Sequence, residues 1–328
     1  MITPPGHPAT AILDQVERAV IGKRSALTIV LAAVLAKGHV LLEDSPGLGK
    51  TLAARSLARA LGLTFTRAQF TPDLLPADLT GSFIYDQREA EFVFRPGPVF
   101  TGLLLADEIN RTPPKTQAAL LEAMQERQVT VEGRTFPLEA PFHVLATANP
   151  IEYEGTYPLP EAQLDRFLVR VSFGYPSVAD ETALVLARLG RGRDEGDIAP
   201  VLSAGGLLDL QEQVEHVTVE AGIGRYVVAL TTATREHDDA LIGASPRGSL
   251  GLVLMARALA FISGRDFVIP EDIKAVAPYV LAHRITIRPE LWMTQASGAG
   301  VVDDVLRTVA TPRAVETGPD LDTRASST

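Results

Sequence analysis

A loop between an apolar run and a helix-forming stretch carries the residue types that hold phosphate groups. Glycines let backbone N–H groups and a helix N-terminus come close to an anion. The side chain of Lys50 would reach the outer phosphate oxygens, and the Thr51 hydroxyl would bind Mg²⁺. Asp44 departs from the usual pattern, because it stands where the first glycine is expected. The predicted phosphate-binding residues are Ser45, Pro46, Gly47, Leu48, Gly49, Lys50 and Thr51.

Two acidic side chains follow another apolar run, residues 103–106. Asp107 and Glu108 come directly after four apolar residues, which is the pattern of a fully buried strand. Ligands of open α/β sheets bind at the carboxyl ends of the strands, so we expect both carboxylates to lie beside the phosphate loop. Asp107 would hold Mg²⁺ together with Thr51, and Glu108 would orient the attacking water.

Two further polar residues could complete a hydrolytic site. Asn149 ends an apolar strand that would neighbour the strand of Asp107, so its amide could hydrogen-bond the γ-phosphate or the water. Arg166 lies near the end of a predicted short helix. An arginine that contacts the triphosphate in the transition state raises the rate of hydrolysis roughly 10³–10⁵-fold. If Arg166 acts from a neighbouring subunit, the active enzyme must be an oligomer; the alternative is a surface ion pair with Asp165 or Glu161.

The order of the elements that must position these residues indicates an α/β fold. Short apolar runs alternate with helical periodicity in the first half, which is typical of a parallel sheet covered on both faces. The pattern is all-helical from residue 176 and polar from residue 313. We therefore predict a nucleotide-binding core over 1–175, an all-helical lid over 176–312 and a disordered tail over 313–328. The predicted core strands are 40–42, 64–68, 103–106, 143–147 and 167–171.

Composition narrows the possible functions. The 328 residues include no cysteine, which excludes disulfides, zinc–thiolate sites and cysteine nucleophiles. A formal net charge of −10 argues against a protein that coats nucleic acid. The sequence has neither a secretory signal pattern nor an apolar stretch long enough for a membrane span. We therefore expect a cytoplasmic protein.

Several longer strings of residues resemble the MoxR family of AAA+ ATPases. They cover most of residues 20–175, and the resemblance continues through the helical half. Strings of this length are far more specific than the phosphate loop alone. They are Gln69–Pro76, Arg95–Phe100, Asp107–Arg111, Pro113–Gln117, Ala146–Pro150 and Glu154–Phe167.

The resemblance implies a P-loop αβα core with a helical lid, assembled as a ring that is usually a hexamer. Two segments that break the core pattern read as hairpins, 82–94 and 128–138. By resemblance, the first lies in the helix-2 insert of this group of AAA+ proteins, and the second is the hairpin before sensor 1.

The resemblance also implies roles for individual residues. Asn149 matches sensor 1, Arg166 matches the arginine finger, and Arg247 matches the sensor 2 arginine, acting either within its own subunit or across to a neighbour. An acidic residue at the position of Asp44 is common in the family. The stretch that usually packs against adenine corresponds to Val20, Ile21 and Gly22.

The implied function is Mg²⁺-dependent ATP hydrolysis that drives chaperone-like maturation of a protein complex. Members of the family often work with a partner that bears a von Willebrand factor A domain. Three alternatives stay open: a nucleotide-dependent scaffold without hydrolysis, an ATPase subunit like that of magnesium chelatase, and a DNA motor. The turn of the second hairpin carries one acidic and one basic residue, Glu132 and Arg134. It therefore lacks the positive charge that a protein needs to follow the phosphates of a nucleic acid. A nucleic-acid partner is therefore less expected than a protein partner.

Overall fold

A computed structural model of the chain describes residues 6–150, 156–191 and 198–312. The tail predicted over 313–328 lies outside the described residues. The helices are α1 (Pro8–Glu17), α2 (Arg24–Leu35), α3 (Lys50–Ala60), α4 (Pro76–Thr80), α5 (Pro114–Glu126), α6 (Glu161–Leu164), α7 (Val178–Arg191), α8 (Ala204–Glu215), α9 (Ala221–Glu236), α10 (Pro246–Ile262), α11 (Pro270–Leu281) and α12 (Gly298–Thr308). The strands are β1 (Val40–Glu43), β2 (Phe65–Gln69), β3 (Gly81–Asp86), β4 (Glu91–Pro96), β5 (Leu103–Asp107), β6 (Gln128–Val131), β7 (Arg134–Pro137), β8 (His143–Ala148), β9 (Val169–Val171), β10 (Ala240–Ile242) and β11 (Thr286–Ile287).

Five strands form the parallel sheet that the alternating pattern predicts. Their order is β2-β5-β8-β1-β9, and every neighbouring pair is parallel. Strands β5 and β8 are buried along their whole length, because helices cover both faces and the residues are almost all apolar. The strand that ends before Asn149 lies directly beside the strand that ends at Asp107, as expected. The carboxyl ends of β1, β5 and β8 therefore meet at one edge of the sheet.

Two hairpins project from the core and pack on each other. Strands β3 and β4 pair over 81–96, and β6 and β7 pair over 128–137. The rings of Phe94 and Phe136 stack with their centroids 3.9 Å apart and their planes 11° apart. Phe83 packs against both rings, and the Arg134 guanidinium lies 5.2 Å above the Phe83 ring. This aromatic cluster joins the two hairpins into one projection.

The lid is helical, with one addition that the sequence did not predict. Strands β10 and β11 form a two-stranded antiparallel sheet between the lid helices. The lid packs against the core, because one continuous apolar cluster includes α1, α2, α3 and the helices α8 to α12. Helix α2 is buried from Leu27 to Leu35 and contacts α8 and α10. Among the described residues, no helix has the length and hydropathy that a bilayer span requires.

Candidate nucleotide site

The phosphate loop connects β1 to α3 and is shaped by two glycines. Gly47 and Gly49 have φ angles of 82° and 81°, in the left-handed region that favours glycine. Gly49 is the N-cap residue of α3, so the free N–H groups of the first turn face the open side of the loop. The Lys50 ammonium folds back and donates to the backbone oxygens of Asp44 and Ser45 at 2.5 and 3.3 Å. The loop thus borders a cleft of about 420 Å³ with the geometry of an anion site.

Asp107 lies at the floor of this cleft with both carboxylate oxygens bonded. The residue is 7% exposed. The Thr147 hydroxyl donates to Oδ1 at 2.6 Å. The Arg67 guanidinium, which reaches across from β2, donates to Oδ2 through Nε at 2.9 Å and lies 2.7 Å away at Nη2. Because an ionised carboxylate would be costly here without partners, these contacts explain how the charge is accommodated.

Glu108 follows in a left-handed conformation, with φ of 59° and ψ of 50°. A non-glycine residue held there costs about 1–3 kcal/mol, and such residues cluster at functional sites. Its backbone N–H donates to the Thr147 hydroxyl at 2.8 Å. Its carboxylate accepts from Gln69 Nε2 at 2.7 Å and pairs with Arg111 at 3.0 Å. Glu108 therefore lines the cleft with its carboxylate held by Gln69 and Arg111.

Most of the predicted site residues share this one cleft. Ser45 is an exception, because it contributes a backbone oxygen to Lys50 but does not line the cleft. The predicted residues that line it are Pro46, Gly47, Leu48, Gly49, Lys50, Thr51, Asp107, Glu108 and Asn149.

Asp44 joins the phosphate loop to residues 172–174, the segment after β9, and this set of contacts is the Asp44 clasp. It is buried, and its carboxylate accepts hydrogen bonds from the Ser172 hydroxyl and from the backbone N–H groups of Phe173 and Gly174. Glycine at this position could not make these bonds. The departure from the usual pattern therefore fixes one end of the loop.

A second pocket of about 360 Å³ lies on the other side of that clasp. Gly22 lines it together with Ser172 and Phe173 of the clasped segment and with Tyr279 from α11. Of the three residues expected near adenine, only Gly22 is in this lining, since Val20 is buried in the apolar core. Ile21 is partly exposed and does not line the pocket.

Arg166 and Arg247 share a pocket that is separate from the phosphate cleft. Both line a small pocket with Asp165, and this lining shares no residue with the phosphate cleft. Arg166 follows α6 and donates to the Leu121 backbone oxygen at 2.8 Å. Arg247, in the first turn of α10, lies 3.6 Å from Asp165 and is 52% exposed. The structure thus places the two arginines in one group without bringing either to the cleft of its own chain.

Asp165 holds this group to the lid. Its carboxylate accepts from Arg284 Nε at 2.8 Å and from the Ser245 hydroxyl at 3.3 Å. Burial lowers the pKa of Arg284, and the Asp165 charge opposes that shift. Arg284 also donates to the backbone oxygens of Phe167 and Leu168. The segment that carries Arg166 is therefore bound to the lid by a buried arginine.

The sequence and the fold resemble those of known proteins. The sequence matches the family described as ATPase family associated with various cellular activities (AAA) over residues 39–169, and the AAA lid domain over 232–317. It is 46% identical to Chaperone MoxR1 of Mycobacterium tuberculosis over 94% of this chain and 83% of that one. It is 34% identical to Protein MoxR of Methylorubrum extorquens, with coverage of 90% and 91%. The chain belongs to the MoxR family of AAA+ ATPases. The uncharacterized protein YeaC of Bacillus subtilis is 47% identical, with coverage of 92% and 93%. The crystal structure of a protein assigned as an ATPase from Cytophaga hutchinsonii superposes with a TM-score of 0.87 at 40% identity, covering 93% of this chain and 95% of that one.

The cleft of this MoxR-family chain offers ligands that suit Mg²⁺. Thr51 and Asp107 both line it and supply a hydroxyl and a carboxylate oxygen. Magnesium prefers such hard oxygen donors and is usually held by one or two protein groups plus substrate phosphates. In the described part of the chain, no group of three or more His, Cys, Asp or Glu side chains is arranged around a metal position. Thr51 and Asp107 therefore fit an ion whose remaining ligands are phosphates and waters.

Arg67 and Thr147 line the cleft and Gln69 contacts Glu108, and none of the three was predicted from the sequence as a site residue. Arg67 and Gln69 are two positions apart on β2, so they extend from the same face of that strand. Strand β2 pairs with β5 in a register that sets Gln69 opposite Asp107. Two polar residues at alternating positions of a predicted core strand were the available signal. Only the strand order shows that this face of β2 lies beside Asp107 and Glu108.

Proposed function

We propose that this MoxR-family ATPase hydrolyses ATP in a Mg²⁺-dependent reaction at clefts that neighbouring subunits of a ring complete. Lys50 would bind the β- and γ-phosphates, Thr51 and Asp107 would hold the metal, and Glu108 and Asn149 would orient the attacking water. The observation that carries the proposal is the separation of Arg166 and Arg247 from the phosphate cleft of their own chain.

The charge balance of the cleft supports this arrangement. Hydrolysis builds negative charge on the γ-phosphate oxygens, and an arginine supplied from outside the cleft commonly stabilises it. Arg67 is paired with Asp107, which leaves Lys50 as the cation on the phosphate loop itself. Arg166 and Arg247 form a joint cationic group that could meet a neighbour's γ-phosphate. Because the donating surface and the receiving cleft are different patches, repeated contacts of this kind are head-to-tail and can close a ring.

Mixing two inactive variants tests the shared site. Glu108→Gln removes the water-orienting carboxylate but keeps Arg166, and Arg166→Ala has the opposite defect. In mixed rings, an Arg166→Ala subunit keeps a complete cleft and can receive Arg166 from a Glu108→Gln neighbour. With random equal mixing, about a quarter of the clefts become complete. We expect each variant alone to be inactive in a steady-state ATPase assay and the mixture to regain activity in that proportion.

A matched control uses two defects of the same cleft. Lys50→Ala mixed with Glu108→Gln leaves every cleft incomplete in any ring, so this mixture stays inactive. The proposal is wrong if light scattering finds a monomer that hydrolyses ATP at the full rate with Arg166→Ala. It is equally wrong if the Arg166→Ala and Glu108→Gln mixture gains nothing although the subunits assemble together.

We further propose that the hydrolysis cycle remodels a protein client, with a von Willebrand A-domain partner and a chaperone-like role. Membership of the family is the basis for the partner and for the role. The tip of the β3–β4 hairpin supports a protein client, because Ile84, Tyr85, Phe92 and Val93 are exposed there. Exposed apolar patches on a projection suit contact with another protein, whereas tracking of nucleic acid would require a basic surface. Capture of the client by a Glu108→Gln variant, which would stay bound to ATP, tests this part.

A further inference from the structure

We propose that Arg67 competes with Mg²⁺ for Asp107, so that it sets the concentration of free Mg²⁺ at which nucleotide binds. The guanidinium is paired with Asp107, and a metal ion must displace it or share the carboxylate with it. This inference rests on the proposed nucleotide site and adds to it a residue that controls metal entry.

The hydrogen bonds of Asp107 show where a metal ion would meet Arg67. Its Oδ1 accepts from the Thr147 hydroxyl at 2.6 Å, and that hydroxyl also accepts from the Glu108 backbone N–H, so it is held from both sides. The Oδ2 atom accepts from the Arg67 guanidinium, with Nε at 2.9 Å and Nη2 at 2.7 Å. Because each carboxylate oxygen has two acceptor sites, a metal ion or a water bound to it competes directly with Arg67 at Oδ2 and is opposed by the guanidinium charge at Oδ1.

The setting of Arg67 fits a group that can move aside. Its side chain is 48% exposed, whereas that of Asp107 is 10% exposed. Gln69 Oε1 accepts from Nη2 at 2.7 Å and orients the guanidinium towards Asp107. An arginine remains protonated at all ordinary pH values, so it cannot yield the oxygen by losing its charge. It can yield only by moving, because two cations at one carboxylate oxygen repel each other.

Arg67→Met tests the competition, since methionine keeps much of the length and removes the charge. The background is Glu108→Gln, and the measured quantity is binding of a fluorescent ATP analogue while free Mg²⁺ is titrated. We expect the half-saturating Mg²⁺ concentration to fall roughly threefold to tenfold, as for release of a partly exposed ion pair. Arg67→Lys keeps the charge but cannot reproduce the fork of two donors, so its curve should lie between those of Arg67→Met and the parent.

Arg307→Ala is the control for the loss of one positive charge, because Arg307 is 77% exposed on α12. Its Mg²⁺ curve should match that of the parent. Thermal melting without nucleotide confirms that each variant is folded, and the lysine variant remains informative if the methionine variant is not.

Two results would overturn the inference. One is a half-saturating Mg²⁺ concentration that is unchanged or raised in both Arg67 variants. The other is an equal fall in the half-saturating Mg²⁺ concentration in Arg307→Ala, which would make the effect one of net charge alone. Failure of the proposed function looks different, because the parent itself would then bind the analogue with no dependence on Mg²⁺ or not at all.

Discussion

Three buried histidines make the stability of the fold sensitive to acid. His39 and His143 lie side by side at the amino ends of β1 and β8, with ring centroids 6.4 Å apart. His39 Nδ1 accepts from the Val144 backbone N–H, and His143 Nε2 accepts from Gln211 Nε2 of α8. A proton added at either nitrogen would face a donor instead of an acceptor. Both rings are therefore held neutral, and burial is the largest cause of their lowered pKa values.

The size of the effect follows from these pKa values. The pKa of His39 is lowered from 6.5 to about 3, and that of His143 from 6.5 to about 4. Above pH 6.5 neither state of the chain is protonated at these rings, so their full contribution to stability is present. As the pH falls below 6.5, the unfolded chain takes up protons that the folded chain refuses. One pKa unit equals about 1.36 kcal/mol, so at pH 5 each ring costs about 2 kcal/mol and the pair about 4 kcal/mol. Burial also lowers the pKa of His283, which acts in the same direction.

Urea unfolding followed by circular dichroism, between about pH 7.5 and pH 5, measures this loss. The expected drop is a large fraction of the 5–15 kcal/mol that is typical of a domain. His143→Asn should reduce the difference between the two pH values by about 2 kcal/mol, because one titrating ring is removed. His216→Asn changes an exposed histidine and should leave the difference as in the parent. A free energy of unfolding that is flat over this range would refute the reasoning, as would an equal pH dependence in the His143 variant.

Three other substitutions probe the clasp and the hairpins. Asp44→Ala leaves the backbone N–H of Phe173 without its acceptor, and we expect a loss of about 2–4 kcal/mol in urea unfolding together with weaker nucleotide binding; unchanged values would contradict the clasp. Phe136→Ala removes the stacked ring between the hairpins, so amide exchange in the β3–β4 hairpin should accelerate while the core strands keep their protection. Phe92→Ser, at a side chain that is 67% exposed, should leave stability within about 0.5 kcal/mol. It should nevertheless abolish capture of the client by the Glu108→Gln variant, and retained capture would exclude this tip as the contact.

The sequence was sufficient to predict the parallel sheet and most of the phosphate cleft. Apolar runs that end in Asp107 or Asn149 reveal buried strands and the edge where their polar ends meet, because burial on both faces leaves a strong local pattern. The place of Arg67 is different. Its contact with Asp107 depends on the order of strands in the sheet, and no local pattern specifies that order.

The lid shows the same limit of local patterns. Strands β10 and β11 contain three and two residues and pair across more than forty positions of the chain, so neither produces a recognisable alternation. Helix α12 begins with Gly298 and Gly300, which favour loops. Its burial against α9 and α11 supplies the stability that its first turn lacks.

The packing of the lid limits where an ATP-driven motion can occur. Arg284 is 3% exposed, and its bonds to Asp165 and to the backbone of Phe167 and Leu168 join the lid to the core. Opening the lid away from α2 would expose the shared apolar cluster and leave this charge without its partner, which costs about 3–5 kcal/mol for a buried pair. We therefore expect the core and lid of one subunit to move as one body. The changes of the cycle would then concentrate at the boundary between subunits, where we propose that Arg166 and Arg247 meet a neighbour's nucleotide.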